Sequence, residues 1–156
     1  MNRDIDFMRL AISLARKGVT EGQTPFGAVI AKNGKVVAEA HNSVWKTTDP
    51  TAHAEINAIR LACKKLGTIN LDGCVIYSTT EPCPLCFSAI HWARISKIVY
   101  GAGIADAKKA GFNELSLSNR ILKKLGKSRV AIKSGVLKKE NQVLFEYWKK
   151  VNWKPY

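Results

Sequence analysis

The sequence predicts a single three-layer α/β domain, with helices on both faces of a central mixed sheet. Stretches with strand patterning alternate with stretches of helical patterning, which places helices between successive parallel strands. An opening hairpin adds an antiparallel pair, so the sheet is mixed. At 156 residues, with no repeat, low-complexity tract or linker, the whole span 1–156 reads as one domain with one buried core.

The elements follow in order. In DIDFMRLAISLARKG, apolar residues at 5, 8, 11, 12 and 15 predict a helix, with Asp4 as its cap and Gly18 as its stop. FGAVIAKNGKVVAEAH reads as two strands around the turn Asn33-Gly34. TAHAEINAIRLACKKLG is helical, with Pro50 near its first turn and Gly67 after its end. CVIYST is a strand, PLCFSAIHWARI a helix and KIVYG a further strand. A helix over about 113–124, the strand RVAIKS and a long helix over about 137–151 complete the pattern.

Composition narrows the function classes. The chain is 46% hydrophobic and 24% charged, as soluble globules are. No run approaches the roughly 18–20 apolar residues of a membrane span, and MNRDIDFMRL carries acids where a signal peptide needs a basic start. A cytoplasmic location without membrane contact is therefore expected, with Cys63, Cys74, Cys83 and Cys86 reduced and available for metal or catalysis. The net charge of +13 raises nucleic-acid binding as an alternative. Eleven Lys or Arg against two acids lie between Arg120 and Tyr156, and lysines along an amphipathic helix also read as a solvated face.

Two helix entries carry the chemistry. Cys83 and Cys86, three apart, share one helix face; Pro84 suits the first turn; and the positive helix end lowers thiol pKa values. With His53 as third ligand they form a zinc set that leaves a position open for water. Glu55, two after His53, reaches the same site only if the helix start bends the geometry; there it serves as general acid/base. A redox CxxC pair and a structural zinc site are the alternatives, although Cys63, Cys74, His41 and His91 are poorly placed as a fourth ligand.

His53-Ala54-Glu55 with Pro82-Cys83-Pro84-Leu85-Cys86 matches the H-x-E…P-C-x-x-C pattern of zinc-dependent nucleobase deaminases. PFGAVIAKNG, DPTAHAEINAIR, EPCPLC and AIHWARISKIVYG extend the resemblance over nearly the whole chain, to the cytidine/deoxycytidylate deaminase superfamily and within it to bacterial guanine deaminases. The resemblance implies a cytidine-deaminase-like fold, Zn2+ as cofactor, water activated by Glu55, and Asn42 hydrogen-bonding the ring of a purine. Phe26 and Trp92 match ring-packing positions, and the backbone of Ala54 or Cys83 is expected at the reacting centre. AGFNE (110–114) resembles an element with two acids in guanine deaminases; here Asn113 replaces the first and Glu114 supplies the second, which also suits a helix's first turn.

Five of the thirteen aromatics, Phe145, Tyr147, Trp148, Trp153 and Tyr156, fall in the last twelve residues. In the family resembled, a C-terminal segment closes the active site and is exchanged between the subunits of a homodimer, so residues 152–156 are expected to form a lid with Tyr156 at the substrate. Guanine is the leading substrate. A tRNA adenosine deaminase is the runner-up, followed by enzymes acting on guanosine, cytosine or an aminated triazine. A non-catalytic zinc-stabilised RNA-binding module is the alternative from a different class.

Overall fold

The computed structural model describes residues 2–156. Helix α1 (Arg3–Thr20) precedes the hairpin β1 (Gly27–Lys32) and β2 (Lys35–His41). A short α2 (Val44–Thr47) and α3 (Ala54–Leu66) lead to β3 (Cys74–Thr80), α4 (Pro84–Trp92) and β4 (Lys97–Ala102). Then come α5 (Ile104–Ala110), α6 (Asn119–Leu125), β5 (Ala131–Lys133) and α7 (Lys138–Asn152).

The strand order is β2-β1-β3-β4-β5; β1 is antiparallel to both β2 and β3, and β3, β4 and β5 run parallel. Alternation along the strands sorts side chains to two faces. Ala28, Ile30, Ile76 and Ile98 pack with α3 and α4 through Ala54, Ala58, Phe87 and Ile90. Val29, Tyr77 and Val99 pack with α1 and α7 through Met8, Ala11, Ala15 and Leu144. The three-layer α/β/α fold with a mixed sheet is therefore the one expected. Asn33 and Gly34 both take positive φ, 50° and 74°, as a two-residue hairpin turn requires. One residue of β2 is extra: Ile30 pairs with Ala38 but Ala31 with Val36.

Several boundaries differ from expectation. Asn2, not Asp4, caps α1, its side chain accepting from the Asp4 N–H. The helix runs past Gly18 to Thr20, and Gly18 serves packing instead, since a Cβ there would lie 3.0 Å from the His41 ring. Pro50 precedes α3 by a turn of chain. The helix expected over 113–124 is confined to Asn119–Leu125, where the Ser118 hydroxyl accepts from the Ile121 N–H. Residues 112–118 instead run as irregular chain toward the site, and α5 forms upstream of it.

Asp4 ties α1 to the sheet. Its carboxylate accepts from Lys133 Nζ (2.6 Å) and Tyr77 Oη (2.9 Å), with Lys97 Nζ at 3.6 Å. Burial works against the charge, but those two hydrogen bonds and the lysine charges hold its pKa below the ordinary carboxylate value. A depressed carboxyl stabilises the fold at pH values above its unfolded pKa and loses that contribution as pH falls through the folded one. Asp4→Asn should therefore cost on the order of 1–2 kcal/mol in denaturant unfolding at neutral pH. The difference from wild type should shrink toward acid, and a penalty independent of pH would refute the linkage.

Candidate active site

The parallel strands deliver their carboxyl ends to one edge of the sheet, and the site forms there. His53 is the N-cap of α3 and Cys83 the N-cap of α4; both have extended backbone (ψ 155° and 168°). Pro84 opens α4, and Cys86 follows one turn in. His53 Nδ1 lies 3.5 Å from Cys83 Sγ and 3.5 Å from Cys86 Sγ, and the three donor atoms are all within 4.8 Å of one another. Bonds of about 2.0–2.3 Å in a tetrahedron separate ligands by roughly 3.5 Å, so the spacing fits zinc. No fourth protein ligand joins them among the described residues.

The cap position explains how Glu55 reaches the same point. Because His53 stands outside the helix and Glu55 inside its first turn, residues two apart face one site. Glu55 is 7% exposed; its Oε1 accepts from Ser78 Oγ at 2.8 Å, and its Oε2 lies 3.4 Å from Cys86 Sγ. Burial, reinforced by the Cys83 thiolate, raises its pKa above the usual carboxylate value. The hydrogen bond from Cys86 favours the Cys83 thiolate, pulling it down to about 4, while Cys86 is raised by the same bond and by burial. Burial would depress His53, but the Cys83 thiolate and the charges of Glu55 and Glu114 outweigh it and raise the imidazole.

A cavity of about 380 Å³ opens over these groups, with Phe26, Asn42, Glu114 and Tyr156 in its wall. Asn42 is fully buried; its Oδ1 accepts from the Val44 N–H (3.0 Å) and its Nδ2 donates to Tyr156 Oη (2.6 Å). Glu114 is in no helix, contrary to the first-turn alternative: it sits in the chain between α5 and α6. Burial and the negative charges of Cys83 and Glu55 push its carboxyl up to about 7. Ala54 lies between His53 and Glu55 with its methyl in the core beneath.

Segment 153–156 crosses the cavity of its own chain. The Asn113 N–H donates to Tyr156 O (3.2 Å), Trp45 Nε1 donates to Lys154 O (3.0 Å), and the Tyr156 ring lies 5.4 Å from Phe112 and 5.8 Å from His53. Within this one chain the tail closes on the chain's own pocket. Trp92 lies apart from this pocket. It is 81% exposed at the far end of α4, outside the cavity wall, because the helix carries it away from the edge that Cys83 and Cys86 occupy.

Two residues were missed. Phe112 packs on Phe26 (4.9 Å) and under Tyr156, the ring neighbour assigned from sequence to Trp92. Glu81, 9% exposed, accepts from the N–H groups of Asn119 (2.8 Å) and Ile104 (3.2 Å), and Asn119 Nδ2 donates to Pro82 O (2.6 Å), pinning α5 and α6 to the cysteine loop. The sequence marks Glu81 only by its place in EPCPLC, directly before Pro82.

The family of the cytidine and deoxycytidylate deaminase zinc-binding region matches residues 1–102. The guanine deaminase of Bacillus subtilis (strain 168) is 50% identical over 109 residues, 69% of this chain and 70% of that protein. The tRNA-specific adenosine deaminase of Aquifex aeolicus (strain VF5) is 37% identical over 145 residues, 93% of each chain. The solved guanine deaminase of Nitrosomonas europaea superposes with a TM-score of 0.86 at 26% identity, covering 94% of this chain and 84% of that one.

Proposed function

Because this chain belongs to the cytidine and deoxycytidylate deaminase zinc-binding family and is a zinc-dependent aminohydrolase, we propose that it hydrolyses the 2-amino group of guanine, giving xanthine and ammonia. The observation that carries the choice of a free base is the closed tail. Tyr156 Oη bonded to Asn42, and the Tyr156 carbonyl bonded to the Asn113 N–H, roof a cavity of about 380 Å³. A base fits beneath that roof, whereas a folded RNA loop requires it to open. The 50% identity to a guanine deaminase supports the same substrate.

His53, Cys83 and Cys86 would hold the zinc, which when bound would supply Lewis acidity and lower the pKa of water. Glu55 takes the proton from the attacking water, delivers it to the ring nitrogen beside C2, and then moves the proton of the added oxygen to the departing amine. Asn42 Nδ2 donates to a ring acceptor, and Glu114 in its carboxylate form accepts a ring N–H. Phe26 and Phe112 hold the ring faces. The tail excludes water, which strengthens each of these contacts.

Adenosine in tRNA is the second reading, favoured by 37% identity across 93% of the chain and by the charge of +13. Ammonia release measured over guanine, guanosine, adenosine, cytosine and tRNA separates the two. Guanine is the expected substrate, and turnover of tRNA alone would overturn the proposal. Deleting residues 152–156 should leave the fold and zinc content intact and cut guanine turnover on the order of 10²-fold, through loss of substrate positioning. Tyr156→Phe removes one hydrogen bond and should cost about 3- to 10-fold. Full activity in the truncated chain would reduce the tail aromatics to packing.

A further inference from the structure

At the opposite end of β3 from the zinc ligands lies a second cleft, of about 590 Å³, formed by the C-terminal end of α4 and the turns that enter β3, β4 and β5. Seven residues of strand put it on the order of 20 Å from the catalytic edge. Arg94, Lys127 and Arg129 line it with His91; its one carboxylate, Asp72, accepts from Ser96 Oγ at 2.9 Å. A neighbouring cleft of about 340 Å³ shares Ser128 with it and adds Arg120, Lys123 and Lys124. Among the described residues, none of these six cations pairs with a carboxylate.

Backbone conformation shows that the cations are placed there against local preference. Arg94 (φ 59°) follows the C-cap of α4 and Lys127 (φ 54°) follows the C-cap of α6, both in the left-handed region that this position ordinarily fills with glycine. Gly126 stands immediately beside Lys127 yet takes an ordinary right-handed conformation (φ −81°), leaving the strained position to the lysine. Helix ends attract cations through their dipole, but that does not require them at the one position where a side chain is disfavoured. At the cleft margin, Trp92 is 81% exposed with its ring 6.0 Å from that of His91.

Unpaired cations in a cleft with an open aromatic ring beside it match the requirements of a nucleotide: phosphate oxygens for the guanidinium and ammonium groups, and a base to stack on the indole. We propose that this face binds the phosphate of a nucleotide unit through Arg94, Lys127 and Arg129, with the base stacked on Trp92, apart from the deamination site. The second cleft extends the site toward a further phosphate, as in a nucleic-acid strand. Which base the zinc site deaminates does not enter the inference.

The test uses the full zinc-loaded chain and a fluorescent oligouridylate of about a dozen residues, read by anisotropy at about 50 and about 200 mM salt. Binding should weaken steeply with salt. Arg94→Gly with Lys127→Gly should weaken it about tenfold or more while the melting temperature stays level or rises, since glycine relieves both strained positions. Trp92→Ala should cost about tenfold, with guanine deamination unchanged in the glycine variant. ATP that displaces the strand at equal concentration assigns the site to free nucleotides, and failure to displace assigns it to strands; either outcome supports the site. Lys149→Glu with Lys150→Glu, on α7, serves as the charge control. An equal loss there, or undiminished binding in the Arg94/Lys127 variant, overturns the proposal. A Trp92→Ala protein that binds normally but sediments differently assigns the indole to a protein contact and overturns the stacking.

Discussion

Glu55→Gln should leave zinc bound at one per chain and cut turnover by at least the 10²- to 10⁴-fold attributed to positioned proton transfer. Gln has the same shape and keeps an oxygen to accept from Ser78 Oγ, now 2.8 Å from Glu55 Oε1, so the helix start is not disturbed. Its amide can still approach Cys86 Sγ, which lies 3.4 Å from Oε2. What disappears is a group able to take up and return a proton in a buried setting that raises its pKa above the usual carboxylate value. Metal content by mass spectrometry beside ammonia release separates the two effects. Near wild-type turnover would remove Glu55 from the mechanism; loss of zinc would make it a ligand or a support for one.

The second large effect belongs to the ligands. Cys83→Ser should lower zinc content well below one per chain and abolish deamination, because hydroxyl is a far poorer zinc donor than the thiolate that Cys83 forms at about 4. Only His53 Nδ1 and Cys86 Sγ, 3.5 Å apart, would remain, and two ligands hold zinc weakly. Since metal that binds only the native state stabilises it, the variant should also melt lower than wild type in added zinc and match it after chelation. A variant that kept full zinc and full activity would end the three-ligand assignment. Expressed as a test of the alternatives, a redox pair would lose activity without losing metal, and a structural site would lose fold before activity.

Much of the fold was legible because its signals are local. Asn33-Gly34 dictates a hairpin wherever it sits between two apolar runs, and Gly67 ends α3 in the left-handed conformation as expected. His53, Cys83 and Cys86 were legible as a set because residue type and spacing define zinc chemistry. The misses are tertiary in origin. Residues 112–118 have helix-compatible composition, yet they are drawn over the pocket by Phe112 packing among Phe26, Trp148 and Tyr156. Trp92 fits a ring-packing motif, but only the helix direction decides which end of α4 meets the pocket. Glu81 looked like part of a motif; its role emerges only where the starts of α5 and α6 converge on one carboxylate.

The placement of β2 and β5 at the two ends of the strand order has a consequence for how copies of this chain can associate. An outermost strand leaves a row of amide and carbonyl groups free to recruit a strand from another molecule. Both outer strands here resist that. On β2 the extra residue, Val37, breaks the even repeat, and Lys35 and Glu39 put charge along it. The other, β5, is three residues long and carries Lys133, already engaged by Asp4. Continuous sheet growth from chain to chain, the route to fibrils, is thereby discouraged at both margins, while the apolar surface left open, at Leu61, Leu85 and Leu125, lies on helices whose backbone groups are already paired.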